Sequence, residues 1–140
     1  WKNIRACGPS SSSAWLRSVS VSPERGADRA KLAVVHMPEA TRAAFSFVEG
    51  LDEEQFRSDL RSLYATRAAL TTLGEAANRV PEAVRIAHSE IPWRQIRAFR
   101  NFLVHAYDQI DPARLHQTVI DELPGLERSL LRLIATLDAQ

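Results

Sequence analysis

Apolar residues recur at helical spacing along almost the whole chain from Asp28 onward. No segment alternates apolar and polar residues as a half-buried strand would. In the first helical segment Asp28 is a candidate N-cap and Gly50 a candidate C-terminal cap. Pro38 lies inside this segment and is expected to kink or split it. Asp52 and Gln55 then have the spacing of a capping box, which predicts a helical turn.

A second long helix is predicted over residues 58–80. Its inner stripe comprises Leu60, Leu63, Tyr64, Arg67, Leu70, Leu73, Gly74, Ala77 and Val80. The small residues around Gly74 would let another helix approach closely.

Prolines and acidic caps divide the rest of the chain. Pro81 opens a short segment, and Pro92 suits the first position of a helix that continues to about Tyr107. Asp111 followed by Pro112 predicts another helix start, and Pro124 with Gly125 predicts a break within the last helical pattern. The pattern as a whole predicts an all-α fold, a bundle of four to six helices.

Residues 1–27 have a different composition. They contain a serine run at Ser10 to Ser13, several Gly and Pro residues and no apolar periodicity, so we expect a disordered or loosely attached segment. The helical domain is therefore placed at residues 28–140, a length that suits one domain. The first segment carries four basic residues against Glu24, whereas residues 28–140 carry fourteen basic and sixteen acidic residues. Any binding of nucleic acid by the domain must therefore be local.

Cys7 is the only cysteine, which excludes an intrachain disulfide and a cysteine-based metal site. No apolar run has the length of a membrane span, and the first residues lack the apolar core of a signal peptide. We expect a cytoplasmic protein without a membrane partner.

The candidate chemistry lies at residues 100–107, which read Arg-Asn-Phe-Leu-Val-His-Ala-Tyr. An imidazole that titrates near neutrality can take the proton of a ribose 2′-hydroxyl, and a guanidinium can stabilise the charge that develops on phosphate oxygens. Asn101 can donate to the same phosphate or orient His105. On a helix, Arg97, Asn101 and His105 share one face, whereas Arg100 and His105 lie about 140° apart. No carboxylate cluster of the two-metal kind is present, and no cofactor is expected.

Spacing alone does not decide the matter, because chance predicts roughly 1.4 such Arg–His pairs in a chain of this composition. By residue type alone, Arg100 is equally a solvated helix arginine and His105 a histidine that the helix dipole favours.

The order of several motifs adds information. Gly74-Glu75-Ala76-Ala77, Ile91-Pro92-Trp93-Arg94, residues 100–107, Asp111 and Asp121-Glu122-Leu123-Pro124 together resemble the HepT-like family of the HEPN superfamily, over residues 28–138. The resemblance departs at Pro38, at Ala69, where a polar residue is usual, and at residues 1–27.

The resemblance implies an all-α homodimer whose Arg-x4-His pairs meet at the dimer interface. It implies a metal-independent endoribonuclease toxin that cuts tRNA or mRNA, with Arg100 and His105 catalytic and Asn101 supporting them. It further implies a nucleotidyltransferase antitoxin that transfers AMP to Tyr107. Arg97 and Glu75 are candidate supporting residues, Glu75 as the partner of an arginine near the cleft.

Two other classes of function remain open from the sequence. The chain is alternatively a non-catalytic HEPN module that binds nucleotides or a nucleotidyltransferase, or else a helical scaffold without chemistry.

Overall fold

The computed structural model describes residues 26–139 of the chain. Within that range it contains seven α-helices, one short 3-10 helix and no strand, which confirms the all-α class. The helix count exceeds the predicted four to six, because the capped turn after Gly50 is a separate helix and the C-terminal pattern divides in two. The expectation for residues 1–27 lies outside the described residues, except that the first helix begins at Gly26.

The helices are numbered in chain order. They are α1 (Gly26–Val48), α2 (Glu53–Ser58), α3 (Leu60–Arg79), α4 (Glu82–Ala87), α5 (Trp93–His105), the 3-10 helix (Tyr107–Gln109), α6 (Pro112–Asp121) and α7 (Leu123–Asp138).

Side-chain caps fix several of these boundaries as the sequence predicted. Gly50 adopts a φ of +77° just beyond α1, a conformation that glycine accepts without strain. Asp52 accepts a hydrogen bond from the Gln55 amide at 2.8 Å, and the Gln55 side chain accepts one from the Asp52 amide at 2.9 Å. Asp111 caps α6 in the same way, with Pro112 directly inside the helix. The first turns of α2 and α6 are therefore satisfied by their own side chains.

Three boundary predictions were wrong. Asp28 is not the N-cap of α1 but an exposed residue of its first turn, because the helix begins at Gly26. Pro38 does not split α1, which continues through it to Val48. The C-terminal break falls at Glu122 rather than at Pro124 and Gly125, because a proline fits the first turn of α7, where its missing N–H costs no helical hydrogen bond.

The core is built around two long antiparallel helices. α1 packs against α3 and α7, α3 packs against α5, and α2 packs against α6. Leu70, Leu73, Gly74, Ala77 and Val80 of the predicted α3 stripe are buried.

The N-terminal end of that stripe is not buried. Leu60 and Tyr64 are 62% and 61% exposed, because α5 ends at His105 and does not extend along the first turns of α3. No helix within residues 26–139 is long and apolar enough to cross a membrane.

Candidate active site

The N-terminus of α5 is anchored by a buried aromatic side chain. Trp93 is 7% exposed and its indole N–H donates to the backbone oxygen of His88 at 2.9 Å. Pro92 precedes the helix as its N-cap residue, one position earlier than predicted. This anchor and the pairing with α3 fix the direction in which α5 presents its polar residues.

α5 crosses α3 at Gly74, where the backbones come close together. A Cβ at position 74 would overlap Cβ and Cγ of Arg100, and it would lie 3.4 Å from the Arg100 Cα. Real side chains do not tolerate such an overlap, so the absence of a side chain at Gly74 allows Arg100 to occupy its position. The predicted close approach of another helix at the small residues of α3 is therefore confirmed.

Three contacts define the position of the Arg100 guanidinium. Its Nη2 donates to the Glu75 carboxylate in a short ion pair, and its Nη1 donates to Asn101 Oδ1 at 3.0 Å. Its Nε is buried and makes no hydrogen bond with the residues that the structure describes. The Arg100 side chain is 23% exposed and that of Glu75 is 39% exposed, so water reaches the pair. One N–H on each terminal nitrogen remains for an additional acceptor.

Arg97 lies one turn before Asn101 on the exposed side of α5. Its Nε donates to Asn78 Oδ1 of α3 at 2.7 Å. Arg97, Asn101 and Asn78 are all exposed. The predicted face of Arg97, Asn101 and His105 is thus open to solvent along its length.

His105 is the last residue of α5 and is exposed. Within residues 26–139 its imidazole makes no hydrogen bond, and none connects it with Arg100. The C-terminus of a helix favours a cation, so the fold stabilises the protonated imidazole. A single chain brings Arg100, Asn101 and Glu75 together but does not bring His105 into contact with them.

Tyr107 does not belong to α5, contrary to the sequence-based prediction of a helix that reaches it. The helix ends at His105, Ala106 caps it, and Tyr107 opens the 3-10 helix. The Tyr107 side chain is 63% exposed, and the Arg67 guanidinium of α3 lies 5.3 Å from its ring centroid. This distance is that of a cation–π contact.

Comparison with known proteins assigns the family. The family model described as Ribonuclease HepT-like matches residues 37–133. The chain belongs to this family.

Two relatives are similar over most of their own length. The chain is 34% identical to "Probable ribonuclease HepT" of Thermococcus cleftensis over 89 residues, which cover 64% of this chain and 81% of that protein. It is 30% identical to "Putative RNase TTE0752" of Caldanaerobacter subterraneus subsp. tengcongensis over 87 residues, 62% of this chain and 78% of that protein. No solved structure matches the chain significantly. The HepT-like family and the names of these relatives support an enzyme of the ribonuclease type.

The matched region contains every candidate residue of this HepT-like chain. Sequence reasoning missed two contributions from α3, Asn78 beside Arg97 and Arg67 over Tyr107. Helical periodicity does offer a signal for Asn78, which lies one turn after Gly74 on the face of α3 that meets α5. Arg67 was assigned to the inner stripe, but it reaches outward to the aromatic ring.

Proposed function

We propose that this HepT-like chain is a metal-independent endoribonuclease, the toxin of a toxin–antitoxin pair, which acts as a homodimer on tRNA or mRNA. The observation that carries the proposal is the position of Arg100. Glu75 and Asn101 hold its guanidinium at the crossing of α3 and α5, on the helix that ends at the exposed His105.

The proposed reaction is attack of a ribose 2′-hydroxyl on the adjacent phosphorus. The bond from the 2′-oxygen to phosphorus forms and the bond from phosphorus to the 5′-oxygen breaks, which leaves a 2′,3′-cyclic phosphate and a 5′-hydroxyl end. The imidazole of His105 takes the 2′-hydroxyl proton or delivers a proton to the leaving oxygen. The remaining N–H groups of Arg100 stabilise charge on the non-bridging oxygens, and Asn101 adds a neutral donor.

A homodimer answers the separation of the two groups within one chain. The exposed histidine of one copy would approach the arginine of the other, and two imidazoles would divide the roles of base and acid. Phe102, three residues before His105, is a large apolar residue with 41% of its surface exposed. An exposed phenylalanine beside the candidate site supports contact with a second copy.

The proposed antitoxin is a nucleotidyltransferase that transfers AMP from ATP to Tyr107. The oxygen of the tyrosine would attack the α-phosphorus, pyrophosphate would leave and the phenolic proton would pass to solvent or to a base of the partner. The exposure of Tyr107 and the nearby Arg67 cation support this role. The added phosphate would place bulk and negative charge two residues from His105 and compete with RNA.

The decisive test is the His105→Ala variant. We expect the purified, unmodified dimer to cleave RNA in the presence of a chelator and to leave 2′,3′-cyclic ends, and we expect His105→Ala to lose at least about 100-fold of this rate, the contribution typical of one general acid or base. Light scattering should show that the variant remains dimeric.

His36→Ala is the matched control, because His36 is an exposed histidine on α1. It should cleave as the native chain does. Undiminished cleavage by His105→Ala would remove the catalytic assignment, and strict dependence on a divalent ion would remove the metal-independent mechanism.

The second candidate is a non-catalytic HEPN module that binds nucleotides or a nucleotidyltransferase. The ion pair between Arg100 and Glu75 favours it, because part of the arginine charge is already neutralised within the chain. A purified dimer that binds a nucleotidyltransferase but never degrades RNA would support this module. A chain whose expression without a partner causes no growth arrest, and that binds neither, would be a scaffold.

A further inference from the structure

A shallow groove runs between α3 and α5 on the side of Arg97. Its lining consists of two arginines, two asparagines and an alanine: Asn78, Arg94, Arg97, Ala98 and Asn101. None of the lining residues carries a carboxylate or a large apolar side chain. Asn101 also contacts Arg100, so the groove is continuous with the candidate active site.

The two asparagines of the groove direct their acceptors inward. Asn78 Oδ1 accepts from Arg97 Nε at 2.7 Å, and Asn101 Oδ1 accepts from Arg100 Nη1 at 3.0 Å. A side-chain amide has one oxygen and one NH₂ group, so each asparagine presents its NH₂ group to a ligand. Arg97 uses only its Nε in this contact, which leaves its two terminal nitrogens as a fork. The polar side chains of the groove therefore present donors.

The groove also retains its positive charge. Among the described residues, the arginine ion pairs involve Arg42, Arg57 and Arg100. Neither Arg94 nor Arg97 has a carboxylate within salt-bridge distance in that part of the chain. Two free guanidiniums with two amide donors suit a ligand that is anionic and accepts hydrogen bonds without donating them.

We infer that this groove binds the phosphate of a neighbouring nucleotide in the RNA strand that the enzyme cuts. The inference rests on the proposed function, because the strand must also pass Arg100 and His105. Arg97 precedes Asn101 by one helical turn, an axial rise of about 6 Å. This length is comparable to the separation of successive phosphates in an extended single strand, so one strand can reach both positions.

A phosphodiester fits the groove better than a base edge does. Its non-bridging oxygens accept hydrogen bonds and remain charged, whereas each base also presents donors that need acceptors. Contacts of this kind position a nucleic acid on a protein without reading its sequence. Single-stranded RNA and DNA should therefore share the contact.

The test measures binding in the His105→Ala background, so that the probe stays intact. The probe is a fluorescent single-stranded RNA oligonucleotide of mixed sequence, titrated at several salt concentrations. Adding Arg97→Ala or Arg94→Ala should weaken binding about 5- to 10-fold at low salt and reduce the slope of log K against log[salt] by about 0.7 per lost phosphate contact. DNA of the same sequence should lose affinity by the same factor.

Two further variants make the test specific. Arg128→Ala removes an exposed arginine from α7 and serves as the control for general loss of charge, with a smaller change in affinity and slope. Asn78→Asp would place a carboxylate against Arg97 and consume its charge, so it should weaken binding at least as much as Arg97→Ala does. Equal behaviour of the Arg97, Arg94 and Arg128 variants, or full affinity in Asn78→Asp, would overturn the inference.

Kinetics separates this inference from the proposed function. In the chain with His105 intact, the effect of Arg97→Ala should fall on KM rather than on kcat, because the groove holds a phosphate that does not react. A loss confined to kcat would overturn the subsite. If the native chain binds the strand through the groove but never cleaves it, the proposed function fails and the binding assignment stands.

Discussion

At the scale of single residues, the absence of one side chain positions the candidate catalytic arginine. Gly74 makes room for Cβ and Cγ of Arg100, and the adjacent Glu75 accepts from its Nη2. Two neighbouring residues of α3 thus fix both the stem and the head of the same side chain. The motif around Gly74 and the motif around Arg100, which are separate in the sequence, form one structural unit.

Gly74→Ala tests this unit. The added Cβ meets atoms next to the α5 backbone, which cannot move aside as a flexible side-chain end would, so the helices must separate. We expect the free energy of unfolding to fall by about 1–3 kcal/mol, as overpacking typically costs, and RNA cleavage to fall with it. Urea denaturation and a cleavage assay measure the two effects.

Gly125→Ala is the matched helical control, since its added Cβ would lie 3.8 Å from the nearest heavy atom outside its own helix and neighbours. It should be neutral, or stabilising by up to about 1 kcal/mol through helix propensity. Equal behaviour of the two variants would show that the close approach at Gly74 has no energetic role.

The sequence predicted this part of the site incompletely. The Gly-Glu-Ala-Ala motif indicated a tight helix contact, and Glu75 was expected to pair with an arginine. The contact between Asn78 and Arg97 spans nineteen positions of the chain. Periodicity assigns each residue to a face of its own helix, but it does not say which residue of another helix lies opposite.

At the scale of elements, acidic caps determine where several helices start. Asp59 separates α2 from α3, and its carboxylate accepts from the Ser62 hydroxyl at 2.7 Å and from the Arg61 and Ser62 amides. The hydrogen bond from the Ser62 hydroxyl is the main cause that holds the pKa of Asp59 below its usual value. Ionised Asp59 therefore stabilises the folded chain.

The sign of this pH dependence follows from the lowered pKa. The stabilisation is fully present above the unfolded-state pKa, about 4, and is lost as the pH falls through the lower folded-state value. We expect the advantage of the native chain over Asp59→Asn to shrink as the pH drops below about 4. Thermal unfolding across this range measures it.

Ser62→Ala removes the main hydrogen bond and should shrink the same pH-dependent advantage without changing the charge of residue 59. If the native chain and Asp59→Asn lose stability in parallel over the acidic range, the cap does not act through its ionisation.

Element boundaries were predicted best where a local cap decides them. Asp52 with Gln55, Asp111 with Pro112, and Gly50 act within a few residues, so their roles are visible in the sequence. The exposed end of the α3 stripe was not visible, because it depends on where α5 stops. The end of α5 at His105 likewise separates Tyr107 from the helix, which spacing alone did not indicate.

At the scale of the whole molecule, a nearly neutral chain concentrates donors and positive charge in one place. The helical domain has more acidic than basic residues, yet the groove between α3 and α5 presents arginines and asparagines. Attraction of a nucleic acid must therefore come from this local arrangement rather than from net charge. Tyr107 lies beyond the end of the same helix, where a partner can reach it.

The proposed control by a nucleotidyltransferase predicts the behaviour of Tyr107→Phe. The hydroxyl is exposed and outside α5, so its removal should leave the fold and the toxicity intact. Co-expression with the partner should no longer relieve growth arrest, and mass spectrometry should find no AMP on the variant. The native chain should carry AMP at Tyr107.

Tyr64→Phe is the control, because Tyr64 is a comparably exposed tyrosine on α3. It should be modified and neutralised like the native chain. A modification that maps to Tyr64, or neutralisation that persists in Tyr107→Phe, would contradict the proposed control.

The donor-only character of the groove has a consequence for target choice. Every nucleotide carries the same backbone anion, so a strand held there is gripped alike whatever letters it spells. Preference for one transcript over another would then have to arise from the bend or looped shape of the molecule presented, and swapping nucleotides within a fixed loop should matter less than straightening it.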